Sequence, residues 1–456
     1  MNNAFSETEV PARTWQNLRP FYFVVVFWGE RFRQYLVDYC LPSLLAPNNL
    51  PVLTGSQNKF IFCTTSEDWA VLTTTEIFAR LQKHVEPYHI EIPAAPSNRS
   101  GCEHMGVGHK LAAEMAYRDK AYAIFMTPDL MVSDGTVSAL CKHAGAGVKV
   151  VLAAALRFGE EPLFQNLQSL RLIRTGEKLS ETGDPLTITG RQMVMIGLRS
   201  LHSESKRYEW QASYFTNFPC ACWWRVPGEE GIVLHCLSWA PFLCDYAAID
   251  DHDTSVFDTW TLDGDYIYQN FGDGQGVHVV TDSDEMMLLS WAPLADRPQS
   301  LAFNPMKGLP IVGNCIKGGI LRAMVLSGIF DDLKTRIFFK TVRWHSRDIT
   351  DAWKETEAHA TETLLHYLSD IEMSQRAPNR PDCGNKFAGI QRIMFLGAIA
   401  TLGRVWIGIS HLYQHRDRVR QRLSLALRGD RDARARISRR IRIVWKLLRG
   451  ARIGNL

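Results

Sequence analysis

The segment Ala121-Tyr-Ala-Ile-Phe-Met-Thr-Pro-Asp129-Leu-Met-Val-Ser-Asp134-Gly135 decides how the chain is read. Its first six residues are apolar, and the run stops abruptly at Thr127-Pro128-Asp129. That is the pattern of a buried strand ending in a turn. Asp134 follows five residues later, ahead of a glycine and a helical pattern. In an open α/β sheet, ligands bind outside the carboxyl ends of the strands. A carboxylate delivered there can hold a divalent metal or a sugar hydroxyl, and Mg²⁺ and Mn²⁺ favour such hard oxygen ligands. Pro-Asp and Ser-Asp-Gly are also ordinary turn and helix-cap chemistry.

Working outward, Phe21 to Phe27 is a continuous apolar run closed by Trp28-Gly29-Glu30, a strand followed by a loop. Arg31 to Leu45 has helical periodicity, which Pro42 should bend or end. Lys59 to Thr64 reads as the second strand, with Ser66, Glu67 and Asp68 capping the next helix. Tyr88 to Ile92 is a third strand, Cys102 to Arg118 a helix, and Ala121 to Met126 the fourth strand. A helix over Thr136 to His143 and a fifth strand over Val148 to Ala153 complete the run. Such alternation predicts an α/β fold with a Rossmann-like, mostly parallel sheet covered by helices. Beyond it, Val194 to Leu198, Trp223 to Val226, Gly231 to Leu237 and Val277 to Val280 are short strand candidates.

Composition bounds the rest. At 456 residues the chain exceeds the usual single domain. With 46% hydrophobic and 22% charged residues it is an ordinary globular protein rather than a disordered one. Ten cysteines without paired spacing argue against a zinc module and for reduced thiols in a cytosolic protein. Met1 to Pro20 lacks the plan of a secretory signal, and the longest apolar stretch, Ile393 to Gly403, is too short to span a membrane.

The net charge of +3 conceals an asymmetry. From Arg416 onward 14 Lys/Arg face 3 Asp, a local net of +11, which leaves the body near −8. Arg439, Arg440 and Arg442 are interleaved with Ile437, Ile441, Ile443, Val444, Trp445, Leu447 and Leu448. A basic amphipathic helix with Trp at its boundary fits an anionic membrane surface. Nucleic acid is the weaker match, because repeated base-stacking aromatics are absent. The expected organisation is an N-terminal tail (1–19), a ligand-binding domain (20–318), a helical segment (319–373), a linker (374–389) and a basic helical C-terminal extension (390–456).

The strand–helix order, together with Phe27-Trp-Gly-Glu30, Leu41 to Pro51, and Ile124 to Asp129 with Ser133-Asp134-Gly135, resembles GT-A glycosyltransferase-like proteins of a poorly characterised bacterial group. The likeness covers roughly residues 20 to 300. It implies a GT-A-like domain that moves a sugar from a nucleotide-sugar donor to a glycan or lipid-linked acceptor, in the cytoplasm and peripheral to the membrane. The family's fourth strand ends in Asp-x-Asp, which holds the metal on the nucleotide diphosphate. Here Thr127-Pro128-Asp129 supplies one of those acids, so Mn²⁺ or Mg²⁺ would fall to Asp129, Asp134 and a late His235. The resemblance places Phe27, Trp28, Gly29 and Glu30 at base and ribose.

His104, His109 and Lys110, on the helix leading into the fourth strand, are candidates for the diphosphate or a solvated helix face. Gly101 to Gly106 lacks the Lys-Ser/Thr of a P-loop. Asp250, Asp251, His252 and Asp253 form the densest acid/His cluster, and Asp251 and His252 are candidates for the catalytic base. Asp282-Ser-Asp-Glu285 poses the same choice between base and acidic loop. The incomplete acid pair leaves a second reading, a catalytically inactive glycosyltransferase-like binding or scaffold protein.

Overall fold

A computed structural model describes residues 18–53, 57–95, 100–173, 178–212, 221–236, 239–258, 260–262, 264–271, 274–298, 318, 321 and 337–376. The basic extension beyond residue 390, with Trp445, lies outside the described residues, as does most of 319–336. The chain divides into two compact units. The first runs to Lys206 and resumes over Arg225–Gln299 and Thr341–Thr350, and the second takes Arg207–Trp224, Ser300–Lys340 and the chain from Asp351.

Thirteen strands are described: β1 (Phe21–Val26), β2 (Lys59–Thr64), β3 (Glu86–Glu91), β4 (Tyr122–Met126), β5 (Leu130–Val132), β6 (Val150–Ala154), β7 (Arg157–Gly159), β8 (Ala221–Arg225), β9 (Gly231–Cys236), β10 (Trp239–Asp245), β11 (Val277–Val279), β12 (Leu288–Ala292) and β13 (Val342–His345). Seven of them make the main sheet of the first unit, in the order β11-β6-β10-β4-β1-β2-β3. All are parallel except β10, which runs antiparallel to both β4 and β6. Every residue of β1, β4 and β6 is buried, as expected for strands covered on both faces. A smaller sheet, β5-β12-β7, carries the segments that follow β4 and β6.

The helix Gly101–Arg118 covers β1 and β2 at close range. A Cβ on Gly108 would sit 2.7 Å from Val26 Cγ1, and one on Gly106 would sit 2.2 Å from the Trp260 carbonyl oxygen. These glycines thus serve close packing on two sides of the helix. The expected Arg31–Leu45 helix is broken into α-turns Glu30–Tyr35 and Leu41–Leu44 by a π-turn, Leu36–Cys40. Pro42 has no N–H to give, and the wider turn just before it absorbs the mismatch, with Leu41 N donating to Leu36 O.

Several expectations need correction. Thr65, rather than Ser66, caps the helix Ser66–Leu72, its hydroxyl accepting from Asp68 N. Val194 to Leu198 lies in a helix, Gly190–Arg199, not a strand. Thr189 and Gln192 close a reciprocal capping box there, and Met193, Val194, Ile196 and Gly197 form its buried stripe. The supposed helical segment after 319 contains β13, paired antiparallel to β9 with Val342 opposite Leu234. The helix Asp351–Arg376 runs through the start of the supposed linker. In the second unit, the Tyr208–Trp210 segment brackets Trp223 by backbone hydrogen bonds of 3.0 and 2.9 Å, and Trp210 stacks on Trp224 at 5.7 Å.

Candidate functional site

The chain leaves β1 toward β2 and β3 on one side and returns to β4 on the other. That reversal is the topological switch point, where in open α/β sheets the loops after the two strands leave a crevice that takes ligands. Val25 pairs with Met126, so Trp28-Gly29 and Thr127–Asp129 leave neighbouring strand ends. Gly29 adopts φ 84°, ψ 153°, a backbone state open to glycine alone. Its N–H donates to Asp68 Oδ2 at 2.8 Å, and Asp68, buried, also receives Thr65 Oγ1 and Arg33. Trp28 is partly exposed and meets the His104 ring edge-on at 4.6 Å. Glu30 is exposed at the start of its helix. Phe27 is 1% exposed and belongs to the core, with its N–H donating to Cys63 O, so it cannot stack on a ligand.

Asp129 stands at the carboxyl end of β4, as its sequence context requires, but its partner is a cation. Arg157, the first residue of β7, donates from Nη1 to Asp129 Oδ2 at 3.1 Å. The same Nη1 reaches Ser290 Oγ and Trp291 O, each at 3.2 Å. The small sheet therefore clamps the pair: β12 supplies two acceptors, and Trp291 N donates back to Asp129 O. Beside it, Arg31 Nε donates to Tyr35 Oη at 2.9 Å and Tyr35 donates to Glu160. Burial and the Glu160 hydrogen bond both push the Tyr35 hydroxyl pKa up, so it stays protonated. Tyr35, Tyr39, Phe164 and Trp291 pack into an aromatic floor, with Tyr39 stacked on Phe164 at 4.3 Å.

Arg157 was not singled out from sequence, although Ala-Leu-Arg157-Phe just after the fifth strand carries the signal: a cation placed at a strand end.

The expected metal ligands are not brought together. Asp134 lies beyond β5, about 10 Å of strand away from Asp129. Its carboxylate binds Asn48, receiving the backbone N–H and the side-chain amide at 2.8 Å each. His235 is buried in β9. Among the described residues, no group of three ligand atoms within 4.8 Å includes Asp129, Asp134 or His235.

The helix residues are also committed elsewhere. His109 is buried, and its Nδ1 meets Thr261 Oγ1 at 2.8 Å and accepts from Leu262 N at 3.2 Å. Burial pushes its pKa down to about 3, so it offers no positive charge. Lys110 is ion-paired with Asp258 at 3.0 Å.

Asp251 and His252 lie at the opposite end of the sheet. β10 is antiparallel to β4, with Asp245 opposite Tyr122, so the chain leaves β10 at the amino end of β4. The Asp250 carbonyl there accepts from Tyr117 Oη near the end of the long helix. The length of β4, about 16 Å, separates this cluster from Asp129. His252 instead contacts Tyr266 Oη at 2.6 Å, which donates to Tyr246 Oη at 2.9 Å. Burial lowers the His252 pKa, leaving a neutral ring over Tyr117.

Asp282 and Asp284 are also occupied. Asp282 meets His345 Nε2 at 2.9 Å, and Asp284 receives Arg191 through both oxygens at 2.8–3.2 Å. In comparisons with known proteins, the chain matches no family model and no curated protein.

Proposed function

We propose that this chain is a GT-A-type glycosyltransferase, moving a sugar from a nucleotide-sugar donor to a glycan or lipid-linked acceptor at the cytosolic face of a membrane. One observation carries the reading: a partly exposed aromatic, a glycine in a glycine-only conformation and a carboxylate–guanidinium pair follow neighbouring strand ends at the switch point. In this reading Trp28 stacks on the base, Gly29 admits the ligand close to the backbone, and Glu30 receives ribose hydroxyls. Asp129 orients a hydroxyl of the donor sugar. Arg157 and Arg31 offset the charge that grows on the departing diphosphate, a task that needs fixed positive charge. Among the described residues no acceptor meets Arg157 Nε or Nη2, which leaves those donors for phosphate oxygens.

The donor set at Asp129 does not fit Mn²⁺ or Mg²⁺, because the charged partner of its carboxylate is a guanidinium rather than a cation shared with a second carboxylate. No step is therefore routed through a metal. Asp251 and His252 stand too far from Asp129 to serve as base toward an acceptor in this crevice. Glu160 and Asp296 are carboxylates that flank the Arg31–Tyr35 contact.

The test is a thermal-shift and turnover screen of nucleotide-sugars on the full chain, with and without chelator. Stabilisation by a nucleotide-sugar that survives chelation, and is reduced in Asp129→Asn and Arg157→Gln, is the expected result. A second reading, a binding protein without catalysis, is favoured by the neutralisation of Asp129 by Arg157. Stabilisation with neither transfer nor hydrolysis of the donor would select it.

A further inference from the structure

A second cluster has no part in this crevice. His143 lies in the last turn of the helix Thr136–Gly145, His278 in the middle of β11, and Glu285 in the turn leading to β12. Both imidazole Nε2 atoms converge on one oxygen, Glu285 Oε1, at 2.7 and 2.8 Å. The rings lie 4.0 Å apart and tilted by 31°. The three ligand atoms lie within 4.8 Å of one another, and all three side chains are partly exposed.

We propose that His143, His278 and Glu285 form a binding site for a divalent transition metal of the Zn²⁺ class, separate from the donor crevice and independent of the glycosyltransferase reading.

The chemistry follows from the donor set. Two imidazoles and one carboxylate are the borderline nitrogen and oxygen ligands that suit Zn²⁺, Co²⁺ or Ni²⁺ rather than Mg²⁺ or Ca²⁺. Three protein ligands leave the fourth tetrahedral position for water, and the partial exposure of the cluster gives it access to solvent. At Zn–N and Zn–O distances of about 2.0–2.2 Å, tetrahedral ligand atoms stand roughly 3.3 Å apart. The present contacts need open by only about half an ångström, within the reach of side-chain rotation.

Each ring can donate to Oε1 as the neutral tautomer with its proton on Nε2, and a metal at Nε2 is taken up by the other neutral tautomer, with the proton on Nδ1.

The adjacent Asp282–Asp284–His345 group is not a rival, because Arg191 already spans both oxygens of Asp284. The site would act as a clamp. It ties a helix, the edge strand β11 and the turn into β12, whose Ser290 and Trp291 support Arg157 five and six residues after Glu285.

The test uses chelator-stripped full chain titrated with Zn²⁺ by calorimetry and with Co²⁺ by visible absorption. One equivalent should bind, raise the melting temperature, and give Co²⁺ bands of low coordination number. His143→Gln and His278→Gln should each weaken binding at least tenfold, while His345→Gln leaves it unchanged. As a readout that needs no variant, imidazole nitrogen resonances of the wild type should show metal-bound Nε2 in two histidines. Absence of saturable binding, or equal binding by His143→Gln and His278→Gln, overturns the proposal. Perturbation of other histidines alone does the same.

Discussion

Asp129 and Arg157 hold each other in a geometry that neither could keep alone: Nη1 has three acceptors, and the carboxylate is mostly covered. Asp129→Asn keeps the shape and removes the charge. A hydrogen bond to a charged group contributes about 1.5–3 kcal/mol. The expected loss of nucleotide-sugar affinity is therefore about tenfold or more, read as a smaller ligand-induced rise in melting temperature. An unchanged rise would remove Asp129 from the site. At Gly29 the argument is conformational rather than steric, since a Cβ there meets nothing within 4 Å while φ is +84°. Gly29→Ala should cost about 1–3 kcal/mol and loosen the Asp68 contact. A melting curve superimposable on wild type would show that the loop accommodates the change without strain.

At the scale of elements, the turn between β11 and β12 is held from two sides by histidines. Burial raises the pKa of Glu285, but hydrogen bonds from His143 and His278 outweigh it and hold the group down to about 2. The Asp282 hydrogen bond raises the His345 pKa above its ordinary 6.5, against burial. The two act at opposite ends of the pH scale. The depressed Glu285 stabilises the fold above its unfolded value of 4.5, and that contribution is lost as pH falls toward 2. The raised His345 stabilises below 6.5, and its contribution is lost as pH rises through the folded value. Melting temperature should thus decline as pH rises above the ordinary histidine value, and His345→Gln should flatten that decline. Parallel profiles for the two proteins would refute the coupling. The helix Gly190–Arg199 offers a simpler test. Thr189→Ala removes the side chain that accepts from Gln192 N and should cost about 1 kcal/mol, measured by denaturant unfolding.

At the scale of the molecule, no helix among the described residues is long and apolar enough to cross a membrane. The proposed membrane contact falls to the basic C-terminal residues. Each basic residue near an anionic surface contributes on the order of 1 kcal/mol within a Debye length, and Trp445 with its aliphatic neighbours adds an apolar term that salt does not screen. Removing 416–456 should release the protein from anionic vesicles and leave the melting temperature of the first unit in place. Full-length binding should weaken in high salt without vanishing. Vesicle co-sedimentation of both forms reads the outcome, and undiminished binding of the truncated protein would rule the anchor out.

The central strands and the helices between them were legible in the sequence because their signals are local. Phe21–Val26, Lys59–Thr64 and Tyr122–Met126 are continuous apolar runs bounded by turns, so burial on both faces is written into them. The same locality placed Asp129 at a strand end. It failed where a partner distant in sequence decides the outcome. β5, β7 and β12 are three to five residues long and exist because they pair with one another across more than 120 residues of chain. Val194 to Leu198 shows how a short apolar run misleads. Its helix is set by the Thr189–Gln192 box and by the face it buries. Asp251 and His252 looked like partners of Asp129 because acids and histidines attract a chemical reading. The antiparallel course of β10 carries them to the other end of the sheet, and strand direction has no signature in composition. Sequence alone determined which segments are buried and which carboxylate caps the fourth strand. Tertiary structure alone decided that Arg157 faces that carboxylate, and that His143, His278 and Glu285 meet, because these are contacts between segments that only chain folding brings together.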